Sequence, residues 1–426
     1  MASRVPRLAR NVAIVGAGLS KFGAFPQKTS RDLLFEAFSE ALGSADKGLA
    51  AEDLEALYLG NFSSDLFEQQ THMGPLMAEW LGLLPKPSVR VEDACASSGV
   101  AFRQGVLAIA SGMYDVVLVG GVEKMTNLPS ERVTDTLATA SDSVFEFQHA
   151  AFTFPGVFGI IASAYLERYG ATPEHLMRVA IKNHQNGALN PKAQFTSTIR
   201  EIMEARARRL RERGEAAPDW KDEMDFLHDP RGNPVVAWPL RLFDCSPVTD
   251  GASCLVLASE DAARNFSDRP VYVAATAHAS GGALASWPDL TSTPALRVAA
   301  RQAYEMAGIT PEQIDLAEVH DCFTIAEVMA TEDLGFFRPG EGALAAAEGL
   351  TARDGPRPVN TSGGLKAKGH PVGATGTGQL VELWKQLRGE AGQRQVKGRQ
   401  LRYGLAENLG GTGGTCVVTI LRQGQS

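Results

Sequence analysis

Apolar positions along the chain fall into short dense runs separated by longer stretches with helical spacing. The first run, Val12–Val15, reads as a strand and is followed by a helix over Asp32–Leu42. Leu49–Gly60 (LAAEDLEALYLG) closes this block with an acidic helix start and a second strand. The same order returns later: a strand over Val271–Ala275, a helix over Leu296–Ala307, and a closing ITPEQIDLAEVH that ends at His320. Gly60 and His320 stand 260 residues apart, so the chain carries an internal repeat. The pattern continues with a strand at Ser88–Glu92, a helix over Ser97–Ala110 and a strand at Asp115–Gly120. In the second half, Pro358–Asn360 leads into a Gly-rich turn, then a helix over Thr375–Leu387 and strands at Leu401–Ala406 and Cys416–Leu421. Strands alternating with helices predict parallel sheets covered by helices. Two such halves predict a duplicated α/β fold with a site where the halves meet.

Between the halves lies a longer connection, roughly 125–245, whose segment Ile199–Asp225 is dense in Arg, Glu and Asp. It reads as a solvated surface helix or flexible insert, the alternative being a surface for a partner or for oligomerisation. The chain has 426 residues, enough to bury a large core without disulfides. A net charge of −8 argues against a general nucleic-acid binder. The cysteines at 95, 245, 254, 322 and 416 form no C-x-x-C, which removes zinc-ribbon and thioredoxin readings, and free thiols fit a reducing compartment. No apolar run reaches the ~18 residues of a membrane span. The basic start MASRVPRLAR lacks an apolar h-region, and Gln-Gly-Gln-Ser is not a peroxisomal signal, so the expected location is the cytoplasm.

Four blocks could carry chemistry. Cys95, in VEDACASSG, stands between a strand and a helix, where a helix N-terminus favours thiolate, although a buried structural Cys fits equally well. His370 stands in a Gly-rich block, NTSGGLKAKGHPVGATGTG, that lacks the Gly-Lys-Ser/Thr ending of a phosphate loop, and Pro371 suits a helix start. Gly16-Ala-Gly18 fails as a dinucleotide fingerprint because Lys21 occupies the third glycine position. His320-Asp-Cys-Phe323 ends a strand, where ligand crevices form, and residues two apart on a strand face one way; the alternative is a strand end with a packed Cys. A metal reading is weaker, since no other His or Cys lies at ligand spacing nearby. Asn408–Gly414 reads as a Gly-rich loop between strands that could form an anion nest.

In their order and spacing, these blocks, with DVVLVGGVEKM at Asp115–Met125 and SPVTDG at Ser246–Gly251, resemble the thiolase family over nearly the whole chain. The resemblance implies two βαβαβαββ halves in a five-layer αβαβα arrangement with an inserted loop domain. The expected division is 1–124 with 240–268, 125–239 for the insertion, and 269–426. It implies Cys95 as acyl-accepting nucleophile and His370 as its activator. The N–H groups of Cys95 and Gly410 would form one oxyanion hole, and Ser246 would contact the pantetheine arm. Asn408 replaces a second cysteine common in the family, and HDCF replaces NEAF, which resembles the sterol-carrier-protein-type and archaeal thiolases. Cys322 would then be the acid/base, with His320 and His370 on the enolate oxygen, and Asn408 would belong to the substrate site. The implied activity is acetyl-CoA C-acetyltransferase, acting as condensation or thiolysis by a ping-pong route, with coenzyme A as substrate and no resident cofactor or metal. A homodimer or homotetramer is implied, and an association with an acyl-CoA-condensing synthase is a further implied partner. The competing readings are a decarboxylating ketoacyl synthase, which needs no Cys322 base, and a non-catalytic CoA-binding subunit. Cys245, Cys254 and Cys416 are expected to be core packing, and chain-length preference to depend on Phe152–Phe158 and Phe323.

Overall fold

A computed structural model describes residues 7–150 and 153–424. Its strands are β1 (Val12–Leu19), β2 (Ala56–Gly60), β3 (Ser88–Val91), β4 (Val116–Glu123), β5 (Val235–Ala237), β6 (Leu240–Arg241), β7 (Gly251–Ser259), β8 (Val271–Ser280), β9 (Leu316–Glu318), β10 (Tyr403–Gly410) and β11 (Thr415–Gln423). Nine of them follow the order β3-β2-β4-β7-β1-β8-β11-β10-β9. Strands β1 and β8 share only the pairs Ala13–Tyr272 and Ile14–Val271, so this run is two sheets touching at one corner. In the first sheet β3, β2 and β4 are parallel, and β7 and β1 follow antiparallel. The second repeats this grammar. β9 is parallel to β10, β11 and β8 follow antiparallel, and Val359, bridged in parallel to Ala317, stands where β3 stands in the first. The repeat read from the sequence is thus a repeat of strand order and direction, and the fold is the duplicated α/β one expected.

Helix α1 (Ser30–Gly43) covers the outer face of the first sheet. Thr29 and Asp32 form its capping box, each side chain bonded to the other's backbone N–H. Gly16 and Gly18 exist for this contact: a Cβ there would lie 2.4 Å from Ala41 O and 2.0 Å from Ala37 O. They are a packing device, which is why they resembled a nucleotide fingerprint without completing one. Helix α2 (Ser97–Ala110) lies between the sheets, and its apolar face (Phe102, Val106, Ile109) is buried in one cluster with Leu383 and Trp384 from the second half.

The insertion leaves the first half after β4 and returns at β7. Its neck is closed by Lys124 and Asp250, both fully buried and 2.6 Å apart. Asp250 also accepts from the N–H groups of Phe25, Met125 and Thr126 and from the Thr126 hydroxyl, so its charge is well compensated. Within the insertion, helix α3 (Pro173–Gly187) is buried and helix α4 (Ile199–Glu212) lies on the surface. The charged Ile199–Asp225 stretch is therefore an ordered surface helix as far as Glu212, with a second short helix at Glu223–His228. In the second half, α5 (Pro294–Ala307) covers the outer face of its sheet, and α6 (Thr375–Arg388) packs against α2 between the two sheets. The layers run helix, sheet, helix, sheet, helix.

Candidate active site

The two middle helices place the site. Each begins after a 3-10 turn, Ala94–Ala96 before α2 and Val372–Ala374 before α6, and their N-termini meet at the junction of the halves. The Thr377 N–H donates to Ser98 Oγ across that junction. Cys95 sits inside the first 3-10 turn, held by Ala94 in a left-handed conformation (φ 50°). Ser97 locks this turn: its Oγ accepts from the Asp93 N–H and donates to Ala94 O. His370 follows Gly369 (φ 117°), and its backbone N–H donates to Thr249 Oγ1. Pro371 precedes the 3-10 turn, not the helix as its sequence position suggested; α6 starts four residues later.

Cys95, Cys322 and His370 line one cavity of about 180 Å³ with Phe323, Ser246 and Gly411. A ligand atom of Cys95, of His320 and of His370 lie within 4.8 Å of one another. The imidazoles of His320 and His370 stand edge to face, 5.0 Å between centroids. Spacing along the chain hid this group, because three remote segments supply it. The placement of His320 and Cys322 does not come from a strand: β9 stops at Glu318, and the His320 ring, close to Cys95 and His370, also borders a small space beside Phe158, Trp287 and Glu407.

The hydrogen bonds assign the ring protons. Thr375 Oγ1 donates its one proton to Pro371 O at 3.1 Å, so at 2.7 Å it accepts from His370 Nδ1–H. His370 Nε2 is left with a lone pair. Asn408 Nδ2 donates to Cys95 O at 3.0 Å and to His320 Nδ1 at 3.2 Å, so His320 carries its proton on Nε2. Burial, reinforced by Lys368, holds His370 down at about 3; burial and neighbouring His370 hold His320 well below its ordinary value. Burial pushes the Cys95 thiol up to about 12, against a lowering contribution from the Gly411 N–H. Burial, with Cys95 and Asp321 adding repulsion, raises Cys322 well above the usual thiol range. The resting site is therefore neutral throughout: two thiols and two uncharged imidazoles.

Several sequence expectations shift. Gly411 lines the cavity, with its N–H beside the Cys95 sulfur, and Gly410, immediately before it, ends β10 opposite Thr415. Asn408 is inside β10, not in a loop, and is buried behind Cys95 and His320 away from the cavity. Cys254 and Cys416 are buried in β7 and β11, whereas Cys245 is half-buried and a third thiol in the cavity wall. Ser246 lines the cavity, and its N–H donates to Cys322 O at 2.9 Å. Met125 and Leu137 are apolar lining that sequence reasoning missed. Phe154 and Phe323 line the cavity as expected, and Phe158 stacks on Phe323 at 4.5 Å. Phe152 lies outside the described residues.

Helix α3 supports this site from behind. Lys182 pairs with Glu327 at 2.6 Å and donates to Val359 O. Asn183 donates to both Asp321 and Glu327, and Asn186 to Asn360 O. Asp321 in turn accepts the N–H groups of Leu365 and Lys366, which fixes the loop leading to His370. Burial and the nearby Glu327 push the Asp321 carboxyl up to about 7.

Comparison with known proteins gives a consistent picture. The model of the thiolase N-terminal domain matches residues 12–261, and that of the thiolase C-terminal domain-like family matches 275–423. The acetyl-CoA acetyltransferase of Methanothermobacter thermautotrophicus is 45% identical, the match covering 96% of this chain and 99% of that protein. Human sterol carrier protein 2 is 31% identical over 98% of this chain and 73% of its own length. Among solved structures, human mitochondrial 3-ketoacyl-CoA thiolase in complex with CoA superposes with a TM-score of 0.69 at 19% identity, covering 98% of this chain and 99% of that one.

Proposed function

The chain belongs to the thiolase family, and on that premise we propose that it transfers acyl groups between thioesters through Cys95, as an acetyl-CoA C-acyltransferase. The observation that carries the reading is the meeting of Cys95, Cys322 and His370 in one cavity with their protons placed for the chemistry. In the cleavage direction, His370 Nε2 takes the Cys95 proton as the sulfur attacks the 3-keto carbon. The Cα–Cβ bond breaks, and the electron pair passes into an acetyl-CoA enolate. His320 Nε2–H and the new His370 imidazolium face that negative oxygen. The Cys322 thiol, protonated at rest, delivers a proton to the enolate carbon, and acetyl-CoA leaves. The Cys322 thiolate then takes the proton of incoming CoA, whose sulfur attacks the acyl-Cys95 carbonyl. The N–H groups of Cys95 and Gly410, the pair that the sequence suggested, are the proposed receivers of the oxyanion, with the adjacent Gly411 N–H beside the sulfur. Cys95 departs and regains its proton from His370, which restores the starting state. Condensation is the same sequence reversed.

Coenzyme A is substrate and product in this scheme, and no resident cofactor is invoked. Ser246 is the proposed pantetheine contact. We keep the division into 1–124 with 240–268, 125–239 and 269–426 as the working domain assignment. The proposed location is the cytoplasm; no helix among the described residues is long and apolar enough to cross a membrane. A homo-oligomer is proposed through β3, an edge strand whose Val89 is exposed. Incubation with acetyl-CoA and intact-mass analysis test the chemistry. An acetyl adduct is expected on wild type and on Cys322→Ala but not on Cys95→Ala, and Cys322→Ala should lose condensation. Full condensation by Cys322→Ala would remove it from the mechanism.

A further inference from the structure

Cys95, His320 and His370 offer one thiol and two imidazoles within 4.8 Å, a donor set suited to zinc. Zinc bonds of about 2.0–2.3 Å would need only small shifts to close on such a group. What sits behind the cluster opposes this. Asn408 is buried and places its amide between Cys95 O and His320 Nδ1.

The orientation of that amide is over-determined. Its Nδ2 faces a carbonyl that needs a donor. Its Oδ1 has no hydrogen-bond partner and points at the first turns of α2 and α6: a Cβ on Gly99 or Gly376 would lie 2.5 or 2.2 Å from it. Two helix N-termini present a positive field to that oxygen. Rotating the amide would set oxygen against the Cys95 carbonyl and NH2 against the helix ends. With Nδ2 fixed toward the ring, neutral His320 has no nitrogen to give to a metal. Nδ1 is occupied by the amide N–H, and Nε2 carries the proton.

We propose that Asn408 is a positioning residue that holds His320 as an Nε2–H donor and so keeps this Cys–His–His cluster from closing on a divalent transition metal. An aspartate at 408 would instead accept from Nδ1–H and turn the Nε2 lone pair outward, the arrangement that supports imidazole as a ligand. The proposal concerns the ring proton and metal affinity, and it stands independently of which acyl-CoA the site accepts.

The test is Zn2+ titration against a chromophoric chelator, using wild type, Asn408→Asp, Asn408→Ala and Asn408→Asp/His320→Ala, each checked for its melting temperature. Asn408→Asp should bind one Zn2+ about 10- to 100-fold more tightly than wild type. Asn408→Ala should shift the same way by less, and the gain should vanish in the double variant. Independently of the zinc titration and of the Asn408 variants, the imidazole 15N spectrum of wild type, assigned against His320→Gln, should show an unprotonated Nδ1 and a protonated Nε2. A protonated Nδ1 in wild type would overturn the proposal. So would equal zinc affinity in wild type and folded Asn408→Asp.

Discussion

Helices α3 and α4 belong to the same insertion, follow one another in sequence, and are both rich in polar side chains. In α3 polar side chains are buried along with the apolar ones: Lys182, Asn183 and Asn186 reach across to the second half. In α4 the apolar residues Ile199, Met203 and Ala207 are buried, while Arg206, Arg208, Arg209 and Arg211 are exposed. Polarity alone therefore carries no information about function; what separates the helices is the surface each one meets. The α3 side chains donate across a buried interface, and their loss leaves Glu327 without its cation and Asp321 short of a donor. The α4 arginines exchange one set of waters for another.

The contrast can be broken most forcefully at Lys182. Lys182→Met leaves Glu327 buried without its cation and should cost about 3–5 kcal/mol, read as a lowered urea midpoint. A loss below about 1 kcal/mol would mean that the α3 stripe is as replaceable as a solvated face. Acid sharpens the comparison next. His184, also on α3, is held down to about 3, chiefly by burial and also by Lys366, so it stays neutral in the folded protein. The unfolded chain binds its proton near pH 6.5, and the depressed folded value means that stability is present above 6.5 and lost as pH falls from there toward 3. His320 and His370 act in the same direction. His184→Phe should flatten part of this acid limb in stability measured against pH; an unchanged limb would assign all of it to the site. At the small end, replacing Arg206, Arg208 and Arg209 together by Gln should move the unfolding free energy by no more than about 0.5 kcal/mol.

The same contrast explains what the sequence made legible. Apolar periodicity located the duplicated strands and helices, and the helix over Ser97–Ala110 matches the structure end to end. Cys95, His370 and Cys322 were findable because short glycine- and histidine-bearing blocks surround them. Strand alternation does not apply to His320 and Cys322, because β9 stops at Glu318 and both residues lie in the turn after it. The Asn408 amide was invisible, since its role depends on two helix N-termini, one of which comes from the other half of the chain. The α3 stripe reads as a solvent face in any periodicity analysis. One signal was available: asparagine is a poor helix former, and Asn183 and Asn186 within one helix cost stability that only specific bonds offset.

Strand β7 lies between β4 and β1, yet it follows the whole insertion in sequence. During synthesis, the first sheet therefore stands with a missing central strand while everything from Lys124 to Asp250 is made. At about 5–20 residues per second that interval is on the order of ten seconds, with the facing edges of β4 and β1 unpaired. Closure of the neck by Lys124 and Asp250 coincides with the arrival of β7, so one event ends the exposure and seats the insertion. A nascent chain stalled before Gly251 would present the two open edges to chaperones, and one released after Ser259 would not.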